Sequence, residues 1–79
     1  MRITFDREVD AAYIYLADIP PGGVADSYNC PPRRVGGILN LDFDSDHRLV
    51  GIEVLGASKR LPSELLVDAE APTARPKAE

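Results

Sequence analysis

Gly36-Gly37-Ile38-Leu39-Asn40-Leu41-Asp42-Phe43-Asp44-Ser45-Asp46-His47-Arg48-Leu49-Val50-Gly51-Ile52-Glu53-Val54-Leu55-Gly56-Ala57-Ser58 is the stretch that decides the fold. It writes a β-hairpin. With Asp46-His47 as a two-residue turn, Phe43 falls opposite Val50, Leu41 opposite Ile52 and Leu39 opposite Val54. Three apolar cross-strand pairs then share one face, and Asn40, Asp42, Asp44 and Glu53 share the other. Side chains alternate with a period of two, so a one-residue slip destroys the match. A three-residue loop would pair Phe43 with Leu49 and Leu39 with Glu53, burying a carboxylate or exposing a leucine. The two-residue turn is therefore the expectation, with the apolar row dry and the carboxylates wet.

Working outward, Arg2–Asp6 alternates, and Ala11-Ala12-Tyr13-Ile14-Tyr15-Leu16-Ala17 follows it. A four-residue loop at Arg7–Asp10 pairs Phe5 with Ala12 and Ile3 with Ile14. Alanines and Leu16 would tolerate a helix here, but Tyr-Ile-Tyr is aromatic and β-branched, and Pro20-Pro21 cuts the segment short. Pro20-Pro21-Gly22-Gly23 is a turn. Val24–Tyr28 reads as a short third strand, and Asn29-Cys30-Pro31-Pro32-Arg33-Arg34 as a loop. Leu61-Pro62-Ser63-Glu64-Leu65-Leu66 begins a short helix, since proline suits a first turn, with a narrow stripe of Leu61, Leu65 and Leu66. From Asp68 onward alanine, proline and charge dominate, a disordered composition. The expected fold is α+β, mainly β. It is a small antiparallel meander of three to four strands with a short C-terminal helix, one domain over residues 1–67 and a disordered tail over 68–79.

Size and charge narrow the function. A chain of 79 residues buries only roughly 60% of its unfolded surface, and small scaffolds need a disulfide, a metal or a partner. Cys30 is the one cysteine and His47 the one histidine, which argues against an internal disulfide and the common zinc sets. Association is the favoured helper. Nine basic and thirteen acidic residues give a net charge of −4, which disfavours phosphate backbones. Arg33-Arg34 and Lys59-Arg60 read as solvated pairs, not a nucleic-acid surface. No signal-peptide pattern opens the sequence and no apolar run reaches membrane-spanning length. The lone thiol points to a cytoplasmic setting.

Asp42, Asp44, Asp46 and Glu53 have the spacing of a calcium loop. The pattern breaks at His47, where such a loop needs glycine, and the flanks are strands instead of helices. Asp6 and Asp10 flank the first turn, where side-chain bonds to turn amides account for them. Cys30 and His47 fall in separate loops, without the third group that a nucleophilic dyad requires. No catalytic set, cofactor fingerprint or metal set is expected. Tyr13, Tyr15, Ile38, Leu49 and Leu55 lie on the sheet's outer face, making it too apolar for a clean wet side. Tyr13, Tyr15, Leu49 and Leu55 are accordingly the expected interaction residues. The expected partner is a second copy or a small protein, through that face or an edge strand.

Phe5-Asp6-x-x-x-Asp10-Ala11-x-Tyr13-Ile14-x-Leu16, Leu41-Asp42-Phe43-Asp44, Val50-Gly51-Ile52-Glu53-Val54-Leu55-x-Ala57-Ser58 and Leu61-Pro62 together resemble the short prokaryotic proteins of domain of unknown function 2283. The resemblance covers about residues 1–66. It implies a small β-meander with a helical end and carries no catalytic residue. Some members look like partners of small toxins, which adds an antitoxin-like role to the expectations. His47 departs from the family's usual glycine, and the Pro-rich insert at 29–35 lengthens the middle loop.

Overall fold

The computed structural model describes residues 1–72. Five strands, β1 (Arg2–Asp6), β2 (Ala11–Tyr15), β3 (Asp26–Asn29), β4 (Leu39–Phe43) and β5 (Leu49–Leu55), form one sheet in the order β1-β2-β5-β4-β3. Every neighbouring pair is antiparallel. Among the described residues three one-turn helices accompany it: α1 (Pro32–Val35), α2 (Ala57–Arg60) and α3 (Ser63–Leu66). The fold is α+β and mainly β, as the sequence reads, with one strand more than expected. The first hairpin has the expected register, Ile3 on Ile14 and Phe5 on Ala12. The sheet departs from a simple meander because β5 inserts beside β2, matching Ala12 to Val54 and Ile14 to Ile52. The chain after β2 therefore crosses to the far edge, where β3 pairs with β4. Residues 32–35, expected in a loop, turn once as α1, and Gly36 closes that turn at φ 82°.

The second hairpin keeps two of its three expected pairs, Leu41 on Ile52 and Leu39 on Val54. The third is corrected: Phe43 faces Leu49, not Val50. The turn is a three-residue loop. The His47 amide donates to the Asp44 carbonyl and the Asp44 amide to the Arg48 carbonyl, and of the two expected turn residues only His47 has positive φ, at 65°. A shift of register at Asp42/Phe43 absorbs the extra residue, leaving Val50 without a cross-strand partner on β4. A bulge of this kind restores the alternation that a longer loop alone would have reversed.

The sheet's two faces also differ from expectation. Face one carries Phe5, Ala12, Val54 and Leu39, and α2 and α3 cover this end. Ala12, Val54, Ala57 and Leu66 form the buried cluster, with Phe5, Leu39, Ile52 and Leu61 packed around it. Beyond the helices the same face continues as a half-buried row. The opposite face, where the carboxylates were expected to be wet and the tyrosines to meet a partner, holds buried Thr4, Tyr13, Asp42 and Glu53. Among the described residues the tail is tied at Glu70, which bridges to Thr4 in parallel, with the Phe5 amide donating to its carbonyl and its own amide to the Ile3 carbonyl. The rest of the tail expected to be disordered, residues 73–79, lies outside the described residues.

Candidate functional site

Gly51 shapes the polar face. It sits opposite both Tyr15 and Asp42 and offers no side chain, so the ring of Tyr13 lies across β5. Its hydroxyl donates to Asp42 Oδ2 at 2.5 Å. A glycine inside a strand commonly marks this sort of close approach. Ser27 on β3 donates its hydroxyl to Asp42 Oδ1, also at 2.5 Å. One carboxylate thus ties β2, β4 and β3 together over the top of β5. Hydrogen bonds to charged groups contribute about 1.5–3 kcal/mol each, and these two act against the cost of burying a carboxyl group that is only 6% exposed. Next to it, Asn40 Nδ2 donates to Glu53 Oε1 at 3.0 Å. Tyr15 stands edge-on to Tyr13 at a centroid distance of 4.8 Å, and the Arg2 guanidinium lies 4.5 Å above its ring.

Tyr13 and Tyr15 were the leading interaction residues in the sequence, but they are only 3% and 8% exposed. Little of either ring is left for a partner to touch. Leu49 is 38% exposed but lies opposite Phe43, which puts it on the apolar face and not with the tyrosines. Leu55 is half-buried on the tyrosine face, opposite Ala11. Ile38 is exposed just before β4.

The other candidate groups are held apart. Asp42 serves Tyr13 and Ser27, and Glu53 serves Asn40. Asp44 accepts from the amides of Asp46 and Arg48 and from Arg48 Nε, each at 2.9 Å. Asp46 is exposed at the tip. Among the described residues no three His, Cys, Asp or Glu side chains come together as a metal-holding group. Cys30 follows β3, whose Asn29 pairs with Asn40, while His47 is at the opposite end of β4. Arg60, read as a solvated basic residue, donates to the carbonyls of Ile38 and Val35 at 2.8 and 2.6 Å, fastening α2 to the entry of β4.

Asp44 makes the turn sensitive to acid. The Arg48 backbone amide, followed by the Arg48 guanidinium and the Asp46 amide, holds its carboxyl below the ordinary value of 3.8. A carboxyl depressed by folding stabilises above its unfolded value, and that contribution is lost as pH falls through the lower folded value. Asp44→Asn should therefore unfold at lower urea than the wild type at pH 7, and the two midpoints should converge below pH 3.8. Equal midpoints at pH 7 would show that the carboxylate adds nothing.

Asp10 has the second non-glycine positive φ, 56°. Its carbonyl accepts from the Gly56 and Ala57 amides, and its carboxylate accepts from the Ser58 amide and hydroxyl at 2.9 and 2.8 Å. The turn of the first hairpin thus holds the start of α2. Asp10→Ala removes a cap and puts a Cβ-bearing residue without a compensating side-chain bond into the left-handed region. We expect a loss of about 2 kcal/mol in urea denaturation, with Asp10→Asn losing less because asparagine tolerates that backbone.

The residues that carry the family resemblance are those that make these bonds: Asp10 and Ser58, Tyr13 and Asp42, and Gly51 beneath the ring. A family model described as "Protein of unknown function (DUF2283)" matches residues 2–58 of the chain. Neither the curated proteins nor the solved structures gave a significant match. With the match spanning both hairpins, the crossing between them and the Ala57-Ser58 clamp, the chain belongs to the DUF2283 family of proteins of unknown function.

Proposed function

We propose that this chain is a non-enzymatic interaction module that works by burying the apolar face of its sheet against another polypeptide, as a homodimer or with a small protein partner. One observation carries the reading. Ile3, Ile14, Ile52, Leu41 and Tyr28 are paired in unbroken sequence across all five strands. No member of the row is charged. The first four are half-buried and Tyr28 is 54% exposed. Folded domains seal such a face with a second layer. Here α2 and α3 supply that layer at one end, and the crossing segment of residues 17–25 borders Leu49 and Val50 at the other, which leaves the row between them half-buried.

The polar groups support the same reading. Apart from the buried Asn40 Oδ1, the polar atoms of Tyr13, Ser27, Asp42, Asp10 and Asp44 are engaged in holding strands and turns together, which leaves the apolar face as the larger free surface. The contact residues of this proposal are Leu49 from the sequence reading together with Ile14, Leu41, Ile52 and Tyr28. A cytoplasmic setting is part of the proposal; among the described residues no helix is long and apolar enough to cross a membrane.

Native mass spectrometry of the chain isolated gently from its own cells tests the reading. The expected species is heavier than the 8.6 kDa chain, and Tyr28→Glu should release free chain. A folded, solitary wild-type chain would overturn it.

A further inference from the structure

We infer that the end of the sheet where β4 begins is a docking surface for an acidic, partly apolar segment of a different polypeptide. This surface lies off the row described above, and its test is independent of that reading.

Three side chains make its apolar part. The Leu55 amide donates to the Ile38 carbonyl at 3.2 Å. That bond continues the pairing of Leu39 with Val54 by one step, so Leu55 and Ile38 are cross-strand neighbours on the tyrosine face. Ile38 is 52% and Val35 39% exposed, and Leu55 is half-buried. Arg60 fixes the group in place. Its Nη1 donates to the Ile38 carbonyl at 2.8 Å and its Nη2 to the Val35 carbonyl at 2.6 Å. Gly37 leaves room for the guanidinium, since a Cβ there would come within 3.0 Å of Nη1. One buried-side cation thus draws α1, the entry of β4 and α2 together.

The basic residues gather at the same end. Arg33 and Arg34 belong to α1 and Lys59 to α2, the two helices that Arg60 joins, and all three are exposed. The other described cations are committed. Arg2 pairs with Glu70 and Arg48 with Asp44 and Asp46, and Arg7 lies over the Phe5 ring. Arg33, Arg34 and Lys59 enter none of the ion pairs among the described residues. Nor are the carboxylates of the same end open to them. Asp10 holds Ser58, Asp6 holds the Glu8 amide, and Glu53 is only 8% exposed. A chain of net charge −4 therefore keeps a local excess of positive charge here.

Charge complementarity gives the occupant its sign. Ile38 and Val35 give it its class. A phosphate backbone offers charge but no apolar surface to cover them, and the net negative charge of the chain works against it. An acidic segment with an aliphatic anchor covers the apolar centre and meets the cations at the rim, which is how polypeptide interfaces are commonly built.

A photo-crosslinking residue at position 38 of the full chain, activated in its own cells, is the first test. The expected product is a bond to a segment of a different polypeptide in which acidic residues outnumber basic ones. Its yield should collapse when Arg33→Glu and Arg34→Glu are added. The second test uses the purified chain and a fluorescent peptide of glutamates with leucine at every fourth position. Anisotropy should show binding that weakens as salt rises. Arg33→Glu with Arg34→Glu should raise the dissociation constant about tenfold and Ile38→Ser about threefold, with circular dichroism unchanged. Arg48→Gln, at the far tip of the hairpin, should leave it unaltered. Equal binding of a lysine version of the peptide would overturn the inference. So would tighter binding of a short thymidine strand that ignores Ile38→Ser, a cross-link that joins two copies of this chain or a segment without acidic excess, or neither a cross-link nor peptide binding.

Discussion

Gly51→Ala should cost about 3 kcal/mol, at the upper end for overpacking a well-packed site. Backbone propensity alone predicts the reverse, since glycine in a strand interior is about 0.5–1 kcal/mol worse than alanine. Sterics decide the sign. A Cβ on Gly51 would collide with Oη, Cζ and Cε2 of Tyr13. The ring cannot swing away cheaply, because Tyr13 is 3% exposed and its hydroxyl is bonded to Asp42. If the ring leaves, Asp42 loses a donor while still buried. If it stays, β5 must move in the middle of the sheet. The same substitution in a Tyr13→Leu background meets no ring, and there its cost should vanish or turn into a gain of about 0.5–1 kcal/mol. Urea denaturation of the four proteins reads the coupling directly. A Gly51→Ala midpoint equal to that of the wild type would mean that Tyr13 does not lie across the glycine.

That interaction also shows where the sequence stopped being legible. Alternation located the hairpin and fixed Leu41 on Ile52 and Leu39 on Val54, because any parity error there would have inverted a whole face. Near the turn the same argument misled. It treated loop length and alternation as one variable, whereas a bulge at Val50 lets a three-residue loop coexist with the inner pairs. His47 took the left-handed position that glycine ordinarily fills, and so hid the turn type. On the other face, alternation separates polar from apolar residues but cannot tell a wet carboxylate from one buried under hydroxyl donors. The available signal was Gly51 itself, a residue without a side chain amid Val50, Ile52 and Val54. Tyr13 and Tyr15 looked like surface aromatics because their burial depends on that gap and on Arg2. Strand order was beyond parity altogether. Ile3, Ile14, Ile52, Leu41 and Tyr28 become one continuous row only after β5 is known to lie between β2 and β4.

Leu66→Ala should cost about 3 kcal/mol, within the range of roughly 2–5 for removing a buried leucine side chain. The cluster that Leu66 joins is small. Its companions are Ala12, Val54 and Ala57, and among the described residues Val54 is the large side chain with less than 2% exposure. Such a core has few neighbours able to close a cavity. The helix has no independent stability either. α3 is one turn of four residues, far below the length at which a helix persists in water, so it holds its place by docking. Leu65 on the same turn is 39% exposed and serves as the control; Leu65→Ala should stay within about 0.5 kcal/mol of the wild type. The damage should also travel along the chain. Ala69 bonds back to Leu66, and Glu70 then pairs with Ile3 and Phe5. Loosening Leu66 should therefore speed hydrogen exchange at the amides of Phe5 and Glu70 before the inner strands are affected, since local openings precede global unfolding where few contacts hold a segment. Equal costs for Leu65→Ala and Leu66→Ala, or unchanged exchange at Phe5, would show that α3 does not fasten the end of the chain to β1.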